Sequence, residues 1–78
     1  MSMKELVEFV AKALVDHPDQ VRVERLEDDR AIILELHVAS EDMGKVIGKQ
    51  GRIAKAIRTV VNAAATNESK RVMVEIVQ

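Results

Sequence analysis

Apolar residues along this chain change their spacing three times, and those changes restrict the architectures open to it. From the N-terminus, Met3, Leu6, Val7, Val10 and Leu14 recur three and four residues apart, the period of one buried helix face. From Val21 the spacing falls to two. Val21 and Val23 alternate with Arg22 and Glu24, and Ile32, Leu34, Leu36 and Val38 place Glu35 and His37 on the other face. The helical period returns around Val46, and Val72, Val74 and Ile76 alternate again near the C-terminus. Such an order fits helices laid on one face of a sheet, an α+β domain.

Local signals set the boundaries. Ser2-Met3-Lys4-Glu5 reads as a capping box that opens a first helix over 2–16, which Pro18, after Asp16 and His17, brings to an end. A β-hairpin follows over 20–38, turning at Glu27-Asp28-Asp29-Arg30. Leu26 falls out of phase with Val21 and Val23, which suggests a bulge or a strand end. Ser40 supplies a capping hydroxyl for a second helix, with Glu41 and Asp42 facing the positive end of its dipole. Gly48 fits the left-handed position that ends this helix. A third helix runs from Gly51 or Arg52 to Thr66, so that 40–66 is a helix-glycine loop-helix unit, and a last strand covers 71–77. The predicted order is α-β-β-α-α-β, with three helices on one face of a three-stranded sheet.

Length allows one domain over 1–78 and a thin margin of stability, because a chain this short leaves much of its surface exposed. Cysteine is absent. That excludes disulfides, thiol chemistry and cysteine-ligated zinc or iron–sulfur sites, and it fits a reducing cytoplasm. The polar start at Ser2, Lys4 and Glu5 is unlike a signal peptide, and no apolar run approaches the ~20 residues of a membrane span.

Net charge is −1, yet its distribution is uneven. Lys45, Lys49, Arg52, Lys55 and Arg58 follow one another without an acid, whereas eight acids and only Arg22, Arg25 and Arg30 lie from Asp19 to Asp42. The basic stretch also holds all three glycines, Gly44, Gly48 and Gly51. A tight junction at Gly48-Lys49-Gln50-Gly51 would let a phosphate reach the backbone N–H groups that start the third helix. Lys49, Arg52 and Lys55 would add charge, with Arg52 able to grip in two places.

Val46-Ile47-Gly48-Lys49-Gln50-Gly51-Arg52-Ile53 resembles the core signature of a KH domain: an apolar pair, then G-x-x-G, then an apolar position two residues on. In that module the glycine loop clamps the backbone of about four single-stranded nucleotides. The α-β-β-α-α-β order resembles the type II, bacterial arrangement, and the likeness covers essentially the whole chain. In size and pattern the sequence is similar to the small bacterial KH proteins of the KhpA type. That resemblance implies cytoplasmic RNA binding, self-association, and pairing with a larger KH-containing protein called KhpB, Jag or EloR. It also implies post-transcriptional control or RNA chaperoning linked to cell elongation and division.

On this reading, bases lie in a groove between the second and third helices and the sheet edge. Val46, Ile47 and Ile53, with an aliphatic side chain from the second strand, form its apolar floor. Phe9 is the only aromatic residue, so recognition by aromatic stacking is excluded. On the third helix, Ile53, Ile57, Val60 and Ala64 form the expected core stripe, with Lys55, Arg58 and Asn62 facing water. A second apolar wedge of Ala54, Val61 and Ala65 lies about 100° away at helical pitch, and suggests a self-association face centred on Val61.

Other functions fit less well. Gly44-Lys45-Val46-Ile47-Gly48-Lys49 has three residues between its glycines where a phosphate-binding P-loop has four, and Gln50 replaces its Ser or Thr. His17 and His37 have no acid–nucleophile set beside them, so no catalysis is expected. Glu27-Asp28-Asp29 matches no calcium loop, and neither metal nor cofactor is expected. A helix-turn-helix DNA binder and a protein-interaction adaptor that mainly dimerises are the rival readings.

Overall fold

The computed structural model describes residues 2–66 and 68–77, with every side chain of these except that of Lys49. Helix α1 covers Met3–Leu14 and opens on the expected capping box. The Glu5 N–H donates to Ser2 Oγ at 3.1 Å, and the Ser2 N–H donates to Glu5 Oε1 at 3.0 Å. Val7 and Ala11 are the fully buried positions of this helix, while Leu14 is partly exposed and Phe9 points into solvent at 63% exposure. A single 3-10 turn, Pro18–Gln20, then leads into the sheet.

Strand β1 (Arg22–Glu27) pairs antiparallel with β2 (Ala31–His37), and β2 pairs parallel with β3 (Arg71–Val77). The strands lie in the order β1-β2-β3, so β2 is central. Asp28 Oδ1 shapes the hairpin turn by accepting from the N–H groups of Arg30 and Ala31, each at 2.8 Å. Leu26 stays in unbroken register, opposite Ile33, so there is no bulge at this residue. It falls out of phase because it belongs to the outer face of the sheet.

Helix α2 runs from Ser40 to Ala64 with no non-helical residue inside it. Its ladder is nonetheless reset midway, because Gln50 and Gly51 have φ of 63° and 69°. A right-handed helix needs φ near −63°, so the element consists of two limbs that abut at this point. The sequence-predicted order α-β-β-α-α-β therefore stands, with one added 3-10 turn. The left-handed residues are Gln50 and Gly51 rather than Gly48.

The helix start also differs from expectation. Ala39 occupies the cap position and makes no side-chain cap bond, while Ser40 Oγ donates to Glu41 Oε1 at 2.8 Å. Asp42 reaches instead to the end of α1, where it accepts from the N–H groups of Asp16 and His17 at 3.1 and 3.0 Å. His17 Nδ1 lies 3.2 Å from the same carboxylate. Only 1% of Asp42 is exposed. Burial pushes its carboxyl pKa up, but the hydrogen bonds from Asp16 and His17 outweigh that and hold it below the usual 3.8.

One core holds the layers together. Val7, Ala11, Val23, Ile32, Leu34, Leu36, Ile57, Val61 and Val74 form a buried cluster between the helices and the inner face of the sheet. Ala54 (6% exposed) and Val61 (1%) are thus core residues, which overturns the self-association face drawn from Ala54, Val61 and Ala65. The buried stripe of the second limb is Ala54, Ile57 and Val61. Ile53 and Val60 flank it half-buried, and Ala64 is exposed. The limb is thus rotated by about one residue from the stripe of Ile53, Ile57, Val60 and Ala64 that the spacing predicts.

Candidate functional site

The glycine junction sits where the two limbs of α2 meet, and its three kinds of residue are distinguishable. Gly51, at φ 69°, needs a conformation that side-chain-bearing residues rarely adopt. Gln50 shares that left-handed conformation without being glycine, at a local steric cost of about 1–2 kcal/mol, and its side chain is exposed. Gly48 is different: it lies within the first limb, outside the left-handed region, and a Cβ there would meet nothing within 4 Å. Neither backbone conformation nor packing within the chain calls for glycine at 48, although glycine costs a helix about 1 kcal/mol.

Electrostatics mark the same place. Lys45 Nζ is tied to Asp16 Oδ1 at 3.1 Å. Arg52, Lys55 and Arg58 are exposed and form no ion pair among the described residues. The side chain of Lys49 lies outside the described residues. Because the helical ladder restarts after Gly51, the first N–H groups of the second limb have no carbonyl in their own limb to bind. Backbone donors, the limb's dipole and unpaired cations are therefore brought together around residues 48–55.

Burial divides the predicted apolar floor. Ile47 is 55% exposed and Ile53 half-buried, so both can touch a ligand. Val46 is fully buried and cannot; it anchors the first limb from beneath. The strand beside the second limb is β3 rather than the second strand. A cleft of about 550 Å³ opens between them, lined by Arg58, Asn62 and Ala65 on the helix and by Lys70 to Val74 on the strand side, with Val61 and Val74 in its floor.

Arg58, Asn62, Lys70 and Arg71 were not among the residues expected at the site. Arg58 and Asn62 share the solvent face of the helix with Lys55, and that spacing could have revealed them. Nothing local could have placed Lys70 and Arg71, which reach the cleft only through the parallel pairing of β3 with β2. Lys70 is partly engaged, since its Nζ donates to Glu27 Oε2 and to the Asp28 carbonyl at 2.9 Å. That contact, with Arg25, holds the Glu27 carboxyl below its usual pKa.

Comparison with known proteins agrees with this geometry. The family model described as the KhpA/KhpB KH domain matches residues 4–76. RNA-binding protein KhpA of Clostridium acetobutylicum is 67% identical over 75 residues, covering 96% of this chain and all of the relative. Its namesake in Caldanaerobacter subterraneus is 65% identical with the same coverage. The one in Aquifex aeolicus is 47% identical over 99% of this chain and 98% of its own length. No solved structure matches the chain.

Proposed function

This chain belongs to the KhpA/KhpB family of KH domains, and from that premise we propose that it binds single-stranded RNA at the glycine junction and in the cleft beside it. The observation that carries the proposal is Gly48, a helical glycine facing open space near Arg52 and Lys55, which form no ion pair among the described residues. A Cβ at that position would hinder only a partner from outside the chain.

The roles follow from position. RNA phosphates approach the backbone across Gly48 and Gly51 and meet the N–H groups that open the second limb. Lys49, Arg52 and Lys55 supply charge along the strand, and Gln50 offers an exposed amide at the turn of the backbone. Ile47 and Ile53 give the bases an apolar surface. Further along, Arg58 and Arg71 flank the cleft, and Asn62 presents both a donor and an acceptor to a base edge. With Phe9 the only aromatic, on α1, base recognition rests on aliphatic contact and hydrogen bonds rather than stacking.

Among the described residues no helix is long and apolar enough to cross a membrane, and the proposed setting is the cytoplasm. The proposed role is post-transcriptional. One such site engages few nucleotides, so pairing with a second copy or with a larger KH protein of the KhpB type raises affinity through effective concentration. Sedimentation equilibrium tests the homodimer: a monomer mass at every concentration removes it. The binding site is tested by Lys49→Asp/Gln50→Asp, which puts two acids at the clamp while keeping both glycines. Affinity for single-stranded RNA is expected to fall at least about tenfold, consistent with the loss of a charge-assisted contact. Unchanged affinity in a folded variant moves the site elsewhere. Preference for duplex DNA over single-stranded RNA across a salt series would favour the helix-turn-helix reading.

A further inference from the structure

The sheet face opposite the helices carries a cluster that the glycine junction does not use. Strand register sorts that face into rows. Glu24, Glu35 and Glu75 lie side by side across β1, β2 and β3. The next row is Arg22, His37 and Val77, and the row on the other side is Leu26, Ile33 and Met73. Like charges directly opposite each other on neighbouring strands destabilise a sheet, so a row of three carboxylates needs an offset. Arg22 provides a partial one, its Nε standing 3.7 Å from Glu24 Oε1.

Two further observations concern His37. An oxygen of Glu24, an oxygen of Glu35 and a ring nitrogen of His37 lie within 4.8 Å of one another. The Nε2 atom of His37 is also buried and has no hydrogen-bond partner among the described residues. Buried polar atoms are nearly always satisfied, so this one calls for an explanation.

We propose that Glu24, Glu35 and His37 form a binding site for a divalent transition-metal ion, of which Zn²⁺ is the working probe. A cation held through Nε2 of His37 answers both anomalies, offsetting the carboxylate row and giving that buried nitrogen a partner. The donor set decides the class of ion. Calcium takes six to eight oxygens and magnesium keeps a near-octahedral oxygen shell, whereas an imidazole beside two carboxylates suits zinc and its neighbours. Bonds of about 2.0–2.2 Å to oxygen and nitrogen require the three atoms to close in slightly. Side chains that are exposed or half-buried, as these are, can do so by small rotamer changes. Water completes the shell, and Glu75 adds negative field from the adjoining strand.

The experiment titrates the metal-free full chain with ZnCl₂ by calorimetry and follows its thermal midpoint. One ion per chain is expected, with a midpoint that climbs with zinc concentration by mass action. His37→Ala and Glu35→Gln, both on an open sheet face, are expected to fold normally and to weaken binding by about tenfold or more. His17→Ala, which removes the only other histidine, leaves the affinity unchanged. With Co²⁺ as a second probe, visible ligand-field bands appear in the parent chain and vanish in His37→Ala. The proposal is overturned if zinc does not saturate at millimolar concentration, if His37→Ala binds as tightly as the parent, or if His17→Ala is the variant that loses the ion.

Discussion

The second limb of α2 and the outer face of the sheet carry charge of opposite sign and are assembled in opposite ways. Basic residues of the limb follow one another along a single helix with no acid between them. The carboxylates of the sheet face come from three strands and meet only through register. One surface is a property of a segment, the other a property of the fold. The contrast also sets a polarity for the proposed site: charge favours a polyanion at the glycine junction and disfavours one at the Glu24–Glu35–Glu75 row. The open sheet face, which other small RNA-binding folds use as a stacking platform, is here acidic and carries no Phe, Tyr or Trp.

Asp42 holds the frame under the basic limb, and removing it should have the largest effect on stability. Asp42→Ala leaves the N–H groups of Asp16 and His17 without their acceptor at a part-buried junction. Its thermal midpoint is expected to fall further than that of Gly51→Val, Gly48→Ala, Arg52→Ala or Glu35→Gln, while the strand rows keep their register. The pH dependence has a definite sign. Asp42 is held below its ordinary value, so its contribution is complete above about pH 4 and disappears as pH falls through the lower, folded-state pKa. Acid unfolding of Asp42→Ala should be correspondingly less steep. Glu5, Glu27, Asp28 and Glu41 are lowered too, so some acid sensitivity persists.

The glycines separate conformation from ligand access. Gly51→Val forces a β-branched residue to φ 69° and should cost about 1–3 kcal/mol of stability. Gly48→Ala should do the reverse, raising stability by up to about 1 kcal/mol because alanine is the better helix former. Its methyl group meets nothing in the chain, yet RNA affinity is expected to drop about tenfold, since the methyl stands where a phosphate would approach. A Gly48→Ala chain that is more stable and still binds RNA like the parent breaks the proposed role of this glycine.

Those outcomes bear on what could be read before the fold was known. Capping at Ser2 and Glu5, the alternation of β2 and the reset near Gly51 are local, and each was legible within a few residues. The basic limb was legible for the same reason. Helix rotation was less so: Ile53, Val60, Ala54 and Val61 form one broad apolar arc, and only packing within the folded core decides that Ala54 and Val61 go inward. Val46 likewise looked like part of a ligand surface until burial placed it in the core. Asp42 was read as a dipole partner for its own helix, because nothing in the sequence links it to Asp16 and His17. The roles of Lys70, Arg71 and the carboxylate row depend on strand pairing across long sequence separations, which residue spacing does not encode.

Single charges give smaller effects and sharpen the comparison. Arg52→Ala should reduce the slope of log affinity against log salt by about 0.7, the value for one phosphate contact on a single strand. The same measurement on Glu35→Gln should show an unchanged slope, because the row lies on the opposite side of the molecule. Equal slopes for Arg52→Ala and the parent would take Arg52 out of the clamp.

Smallest of all is the effect of relaxing the carboxylate row without metal. In a chelated buffer, Glu35→Gln replaces the middle of three like charges with a neutral side chain of the same shape. Repulsion toward both Glu24 and Glu75 is relieved at once, and stability should rise by about 0.2–1 kcal/mol. Salt is the control, since screening in concentrated NaCl should shrink the difference between variant and parent. A parent that is already the more stable chain in chelator would mean that Arg22 alone balances the row. The two charged surfaces would then differ in sign but no longer in whether their charge is compensated within the chain.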